Sequence, residues 1–439
     1  MPSRLLTLAA AAMTASASAR HAGGLAGEHA GTTKPLSTRM IESAISRQHG
    51  IVSSGASTST LEAGILALAT QAWLELYGAD NNNNNNNNDT VPPEQVADFV
   101  SYVDDIITSV TSAPAFSNAT AAALLPLDRL SVAQAINNLQ EAPRGGGGAG
   151  GELTAAEALT LDTLNSSLAL QRRNQAGGLF YYVYPYWSYL DGAASFLPYM
   201  AEEPSAAYSA ADMLLQITLL YETCFQESTG LVVHGYDESK TAVWANNATG
   251  ASPYVWGRSL GWYLAGLVNA WEVLTAEGGD GDCAGAGGGA DGSCADLLAA
   301  IREQASTLMT NIARYADEET GVWWQLPAFP GREGNFLESS STALYIFSIL
   351  KGLRLGLLED NSNQSLADVA LRAYNYTTNE FVVDYGNGTL GWNGTVIVCS
   401  LNSTATYEYY TGRPIVFDAP LGEGAFVWAS LEVERLGRA

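Results

Sequence analysis

The chain has 439 residues, 47% of them hydrophobic, and carries 20 basic against 45 acidic side chains, for a net charge of −25. That charge argues against nucleic acid and against anionic membranes as partners, and it means that any acidic ligand must be met by a local cation. Length alone allows two or three domains.

Residues 1–19 read as a secretory signal: Arg4 supplies the positive end, Leu5 to Met13 the apolar core, and Ala17-Ser18-Ala19 the small-residue cleavage site. So short an apolar stretch does not make a permanent anchor, and no later run of 18 or more apolar residues follows. The expectation is a secreted, extracellular protein that is soluble once processed. Residues 20–37 are expected to be a flexible segment, and the folded domain to span 38–439. Sequons at Asn88, Asn118, Asn165, Asn247, Asn363, Asn375, Asn387, Asn393 and Asn402 fit a eukaryotic secretory route. Only part of them are expected to be used: Asn118, Asn247, Asn375, Asn393 and Asn402.

Apolar periodicity predicts helices near 38–49, 59–77, 93–110, 128–141, 153–171, 191–202, 206–226, 257–276, 293–315, 337–357, 363–380 and 421–436. Only short stretches such as "TVIVCSL" read as strand. Twelve helices suit a ring of paired hairpins, each inner helix burying one face against an outer one. They also suit two helical domains joined at 278–292, and periodicity alone leans slightly toward the second. The runs "NNNNNNNN" at 81–88, "GGGGAGG" at 145–151 and the glycines at 284–289 bury no apolar surface and read as loop insertions.

Four stretches can carry chemistry. In "LLPLDRLSVAQAINNL", Asp128 stands at a helix entry, where an N-cap is the plain reading. In "GGLFYYVYPYWSYLDGAASFLPYM", seven aromatics lie between Phe180 and Tyr189, and Pro185 forces extended or turning chain. Asp191 then opens a helix, either as its N-cap or as a carboxyl at the mouth of an aromatic pocket. His234 precedes a Gly-Tyr-Asp-Glu turn and is either a structural hydrogen-bonder or part of a site. In "VWGRSLGWYLAGLVNAWEVL", Leu260, Leu264, Leu267, Trp271 and Leu274 form a core stripe, while Arg258 and Trp262 share a nearly opposite face. A guanidinium beside an indole suits a sugar ring bearing a carboxylate, and equally a structural Arg–Trp stack.

The cysteines are Cys224, Cys283, Cys294 and Cys399. Cys283 and Cys294 flank a short glycine-rich loop and are the expected disulfide. Cys224 and Cys399 either pair or stay buried and free. No spacing suggests a metal site.

Taken together, "WSYLDG", "HGYDESKTAVWANNATGASPYVWGRSLGW", "WWQLPAFPGREGNFLESSSTALYIFSILKGLRLG" and "CSLNSTATYEYYTGRPIVFDAPLGEGAFVWASLEVERL" resemble the unsaturated rhamnogalacturonyl hydrolases of glycoside hydrolase family 105, in particular its secreted fungal branch. The likeness runs in the same order from about residue 38 to the C-terminus. It implies an all-α fold, a single (α/α)6 barrel of six helical hairpins with loop insertions. It implies Asp191 and Asp128 as catalytic carboxyls, and His234, Arg258, Trp262, Trp256 and Tyr189 as substrate-binding residues. Tyr189 stands where bacterial members often carry Trp, and the linker from Asp128 to Asp191 holds the extra glycine run. The implied activity removes a 4,5-unsaturated galacturonyl residue from lyase-generated rhamnogalacturonan by hydrating its vinyl ether, with Arg258 holding the uronic carboxylate. No cofactor is implied. The expected partner is a small acidic oligosaccharide, and the protein is expected to act as a monomer. Three alternatives remain open: an unsaturated glucuronyl hydrolase, a lyase or inverting glycosidase on a similar barrel, and a non-catalytic sugar-binding protein.

Overall fold

The apolar periodicity takes shape in a computed structural model, which describes residues 34–54, 59–78, 91–141, 151–183, 186–203, 209–276, 293–360 and 365–437. The expected signal at 1–19, the asparagine run at 81–88 and most of the glycine runs lie outside these residues. The helices are α1 (Leu36–Ser46), α2 (Thr60–Trp73), α3 (Pro93–Thr111), α4 (Ala119–Ala122), α5 (Arg129–Glu141), α6 (Ala155–Ala169) and α7 (Ala193–Glu202). They continue with α8 (Ala210–Cys224), α9 (Gly257–Thr275), α10 (Ser293–Ala313), α11 (Ser339–Arg354), α12 (Leu366–Tyr376), α13 (Tyr407–Thr411) and α14 (Pro420–Leu436). All but the short α4 and α13 coincide, within a few residues, with the segments predicted from periodicity. Their starts are written locally. Ser59 with Glu62 and Thr154 with Glu157 form capping boxes at α2 and α6, and proline occupies the first turn of α3 and α14.

Helices α2, α5, α7, α9, α11 and α14 pack side by side in that order, and α14 closes back on α2. Outside them, α1 packs on α14, α3 on α2, α6 on α5, α10 on α9 and α12 on α11, while α8 lies against α10 and α7. This is an (α/α)6 barrel. It corrects the two-domain arrangement toward which periodicity leaned, because the last helix packs on the first two as well as on α11 and so closes the ring. The described residues from Pro35 onward form one compact unit.

The two rings bury differently. In the outer helix α12 the buried residues are Leu366, Val369, Ala370 and Ala373, a single stripe at i, i+3, i+4 and i+7. In the inner helix α9, 15 of 19 residues are buried, so apolar positions occur all round it. Backbone contact within the inner ring depends on glycine at one point. A Cβ on Gly266 of α9 would lie 2.4 Å from the Ala193 carbonyl oxygen at the start of α7.

Strands are short: β1 (Tyr182–Val183), β2 (Tyr186–Tyr189), β3 (Phe225–Gln226), β4 (Leu231–Val232), β5 (Gly235–Tyr236), β6 (Val382–Asp384), β7 (Leu390–Trp392), β8 (Thr395–Val396) and β9 (Ile415–Val416). β1, β2 and β5 form an antiparallel sheet. In "TVIVCSL" only Thr395 and Val396 pair, with β9, and the rest is irregular.

Cys294 is disulfide-bonded, and its expected partner Cys283 lies outside the described residues. Cys224 and Cys399 are free and buried, which settles their open pairing. The side chains of Asn118, Asn247, Asn375, Asn393 and Asn402 are all on exposed residues.

Candidate active site

The β2–β5 pairing assembles the site. Tyr189 lies opposite Gly235, and the Leu190 amide donates to the His234 carbonyl at 3.1 Å. At one and the same end of this register stand Asp191, two residues past Tyr189, and His234, the residue before Gly235, which the sequence separates by 43 positions. The His234 Nε2 lies 3.2 Å from Asp191 Oδ2 without hydrogen-bond alignment, and it has no other partner. Its Nδ1 is 2.8 Å from the Tyr410 hydroxyl. Ser259 Oγ, in the first turn of α9, donates to Asp191 Oδ2 at 2.6 Å. Asp191 precedes α7, whose N-cap is Gly192, and no side chain caps that helix. Its carboxyl is therefore held by Ser259 and faces His234 rather than capping the helix.

His234 is fully buried in an aromatic box. The ring of Trp256 lies 4.7 Å away, that of Tyr189 5.4 Å and that of Tyr410 5.8 Å. Tyr189 stacks on Tyr181 at 4.7 Å, and Tyr181 donates its hydroxyl to Asp128 Oδ2 at 2.6 Å. Asp128 Oδ1 is buried and has no partner, so this carboxyl does not cap α5 either. Burial pushes the Asp128 carboxyl up to about 7; the Asp191 charge adds to this, while Tyr181 and Arg129 oppose it. Asp128, Asp191, His234, Tyr189 and Trp256 thus belong to one cluster, as their joint candidacy implied.

Arg258 and Trp262 need correction. The ring beneath the Arg258 guanidinium is Trp256, at 4.9 Å, not Trp262. Trp256 is the N-cap of α9, with extended backbone (φ −93°, ψ 123°), and this turns its indole under the arginine. Trp262 is 1% exposed and packs edge-on to Trp428 of α14, 6.4 Å away, in the main core. Arg258 is itself only 1% exposed. Its Nη1 donates to the Val396 carbonyl at 2.7 Å and to Ser340 Oγ at 3.2 Å. Nη1 also lies 4.0 Å from Glu338 Oε1. One arm of the guanidinium is therefore committed to the scaffold, and the buried Nη2 is the donor without a partner.

Four participants escaped the sequence reading. Tyr181 was one aromatic among seven. Ser259 is simply the neighbour of Arg258. Tyr410 sits in a tyrosine-rich stretch with no spacing signal. Glu338 is the N-cap of α11 and accepts from Ser340 Oγ, from the Ser341 amide and hydroxyl, and from the Val396 amide. Its position before "SSS" was the available clue, since a buried cap beside a buried arginine marks a fixed charge pair. A surface cleft of about 470 Å³, lined by Arg332, Tyr407 and Glu408 among others, borders the aromatic cluster at Tyr407 but includes neither Asp191 nor His234.

The sequence model described as Glycosyl Hydrolase Family 88 matches residues 154–282 and 297–437, a span that contains Asp191, His234 and Arg258 but not Asp128. Protein Atu3128 of Agrobacterium fabrum is 28% identical over 218 residues, which is 48% of this chain and 85% of that protein. The 24.9 kDa protein in the picA locus of Rhizobium radiobacter matches to the same extent. Among solved structures, a C. acetobutylicum glycoside hydrolase of family 105 aligns with a TM-score of 0.71 at 23% identity, covering 92% of this chain and all of that one. An unsaturated glucuronyl hydrolase from Bacillus sp. GL1 aligns with a TM-score of 0.56 at 13% identity, covering 91% and 97%. These structures share the barrel, and with the sequence model they support the family 105 assignment made from the motifs. The model's match covers well over half of the chain, and the protein belongs to Glycosyl Hydrolase Family 88.

Proposed function

We propose that this glycosidase removes a 4,5-unsaturated galacturonyl residue from the non-reducing end of lyase-generated rhamnogalacturonan oligosaccharides. The observation that carries the reading is the buried Asp191 carboxyl, bonded by Ser259 and faced by an unpaired His234 nitrogen inside an aromatic box. The C4=C5 bond of such a uronide is a vinyl ether, because the ring oxygen is attached to C5. In the reaction we propose, Asp191 delivers a proton to C4 and the developing charge spreads over C5 and the ring oxygen. Asp191, now a carboxylate, takes a proton from the water that adds at C5. The hemiketal opens to a ketone at C5, and the hemiacetal left at C1 releases the aglycone alcohol. Water adds at C5 and no displacement takes place at the anomeric carbon, so the two-carboxylate spacing rule of ordinary glycosidases does not govern this chemistry.

In this reading the flattened ring packs against the aromatic cluster at Tyr189, and Arg258 Nη2, a buried donor without a partner, meets its carboxylate. We further propose that the protein acts outside the cell, on the strength of its N-terminal pattern and exposed sequons. The test is turnover of the galacturonyl and glucuronyl unsaturated disaccharides side by side. Preference for the galacturonyl substrate supports the reading, and preference for the glucuronyl one replaces it.

A further inference from the structure

Tyr181 touches both carboxyl-bearing segments of the site. Its hydroxyl donates to Asp128 Oδ2 at 2.6 Å. Its own carbonyl accepts from the amide of Leu127, the residue before Asp128, at 3.0 Å, and its amide donates to the Trp187 carbonyl in β2 at 2.9 Å. The ring stacks on Tyr189 with the planes 21° apart. On its other flank the chain after Asp191 comes so close that a Cβ on Gly192 would sit 3.1 Å from Tyr181 Cδ2 and 3.2 Å from Leu127 Cδ1. Burial and the charges of Asp128 and Asp191 hold the phenol well above its usual range, so it stays protonated and keeps its hydrogen for Asp128.

We propose that Tyr181 is a positioning residue: it fixes the Asp128 carboxyl through Oδ2 and leaves Oδ1 as the single oxygen for a sugar hydroxyl. The proposal rests on the hydrolase reading for what Oδ1 meets, but the clamp itself is a property of the protein alone. Asp128 Oδ1 is buried and without a partner, which is the state expected of an acceptor kept for a ligand. The charged and titratable groups that bear on Asp128 are Asp191, Arg129 and Tyr181, and those that bear on Tyr181 are Asp128, Asp191 and Tyr189.

The experiment uses Tyr181→Phe, which keeps the stacked ring and removes only the hydroxyl. The titration of Asp128 is read without substrate, as the pH dependence of the stability difference between the protein and its Asp128→Asn variant, in the tyrosine and phenylalanine backgrounds. Because the lost hydrogen bond favoured the charged form, its midpoint should rise by about one pH unit. On an unsaturated uronide, Tyr181→Phe should lower kcat about 10-fold and shift the matching limb of the pH–rate profile upward. It should have little further effect on top of Asp128→Asn. An unchanged midpoint, or effects that simply add to those of Asp128→Asn, overturns the clamp. A raised midpoint in a protein that turns over no unsaturated uronide supports the clamp and removes the hydrolase reading.

Discussion

Replacing Arg258 by methionine should cost about 3–5 kcal/mol of folding stability, the scale for stripping one partner from a buried ion pair. Glu338 is fully buried and its Oε1 lies 4.0 Å from Arg258 Nη1, with Ser340 Oγ bridging the two. At an effective dielectric constant of about 20 that separation corresponds to about 4 kcal/mol of attraction, set against the cost of burying both charges. Methionine keeps an apolar stem over Trp256 but leaves Glu338 with hydrogen-bond donors and no cation. Chemical denaturation of the wild type, Arg258→Met, Glu338→Gln and the double variant closes a thermodynamic cycle. The double variant should lose at least about 2 kcal/mol less than the sum of the single losses. A loss below about 1 kcal/mol for Arg258→Met, or strict additivity, would refute the idea that the two charges support each other. Arg258→Lys isolates the ligand side. It keeps a cation near Glu338 but loses the unpaired Nη2, so affinity for an unsaturated uronide should fall about 10- to 150-fold. A methyl-esterified uronide should lose much less, and equal losses on acid and ester would make Arg258 purely a scaffold residue.

Asp191→Asn should leave the fold intact and reduce turnover at least about 10²-fold, as expected for loss of a general acid/base; near-normal turnover in a folded variant would take Asp191 out of the chemistry. Asp128→Asn should stabilise the protein at pH 8 and not at pH 3. The folded carboxyl titrates at about 7 against an ordinary value of 3.8, so the folded state holds the extra proton between those values and the wild type loses stability as pH rises through that window. Three units correspond to at most about 4 kcal/mol, and identical pH profiles for wild type and variant would contradict the burial of Asp128. Non-reducing peptide mapping should recover Cys283 joined to Cys294, with Cys224 and Cys399 as thiols; two further thiols at 283 and 294 would exclude the bridge.

An outer helix such as α12 was legible because it shows a single apolar stripe, Leu366, Val369, Ala370 and Ala373. The inner helices were legible as helices, but not as a ring. Residues such as those of α9 are buried on every side, and nothing in the sequence says that α14 packs on α2. Asp191 and His234 stood out by residue type, yet their meeting depends on the register Tyr189 opposite Gly235, a long-range pairing of two short strands. Arg258 was assigned the wrong aromatic neighbour because helical spacing relates it to Trp262, whereas Trp256 lies just outside the helix, where that spacing no longer applies. Tyr181 gave no signal, because six other aromatics surround it and its role comes from a contact with a loop 53 residues away.

The central claim is that the protein consumes a C4=C5 double bond rather than creating or ignoring one. The most direct measurement follows the ultraviolet absorbance of that bond, conjugated to its carboxylate, in rhamnogalacturonan predigested by a lyase. The account predicts a decay of absorbance that matches the release of oligosaccharides one uronic residue shorter, and no decay with Asp191→Asn. A rise in absorbance on undigested polymer would identify a lyase, and binding of the digest with absorbance unchanged would identify a sugar-binding protein; either result contradicts the account.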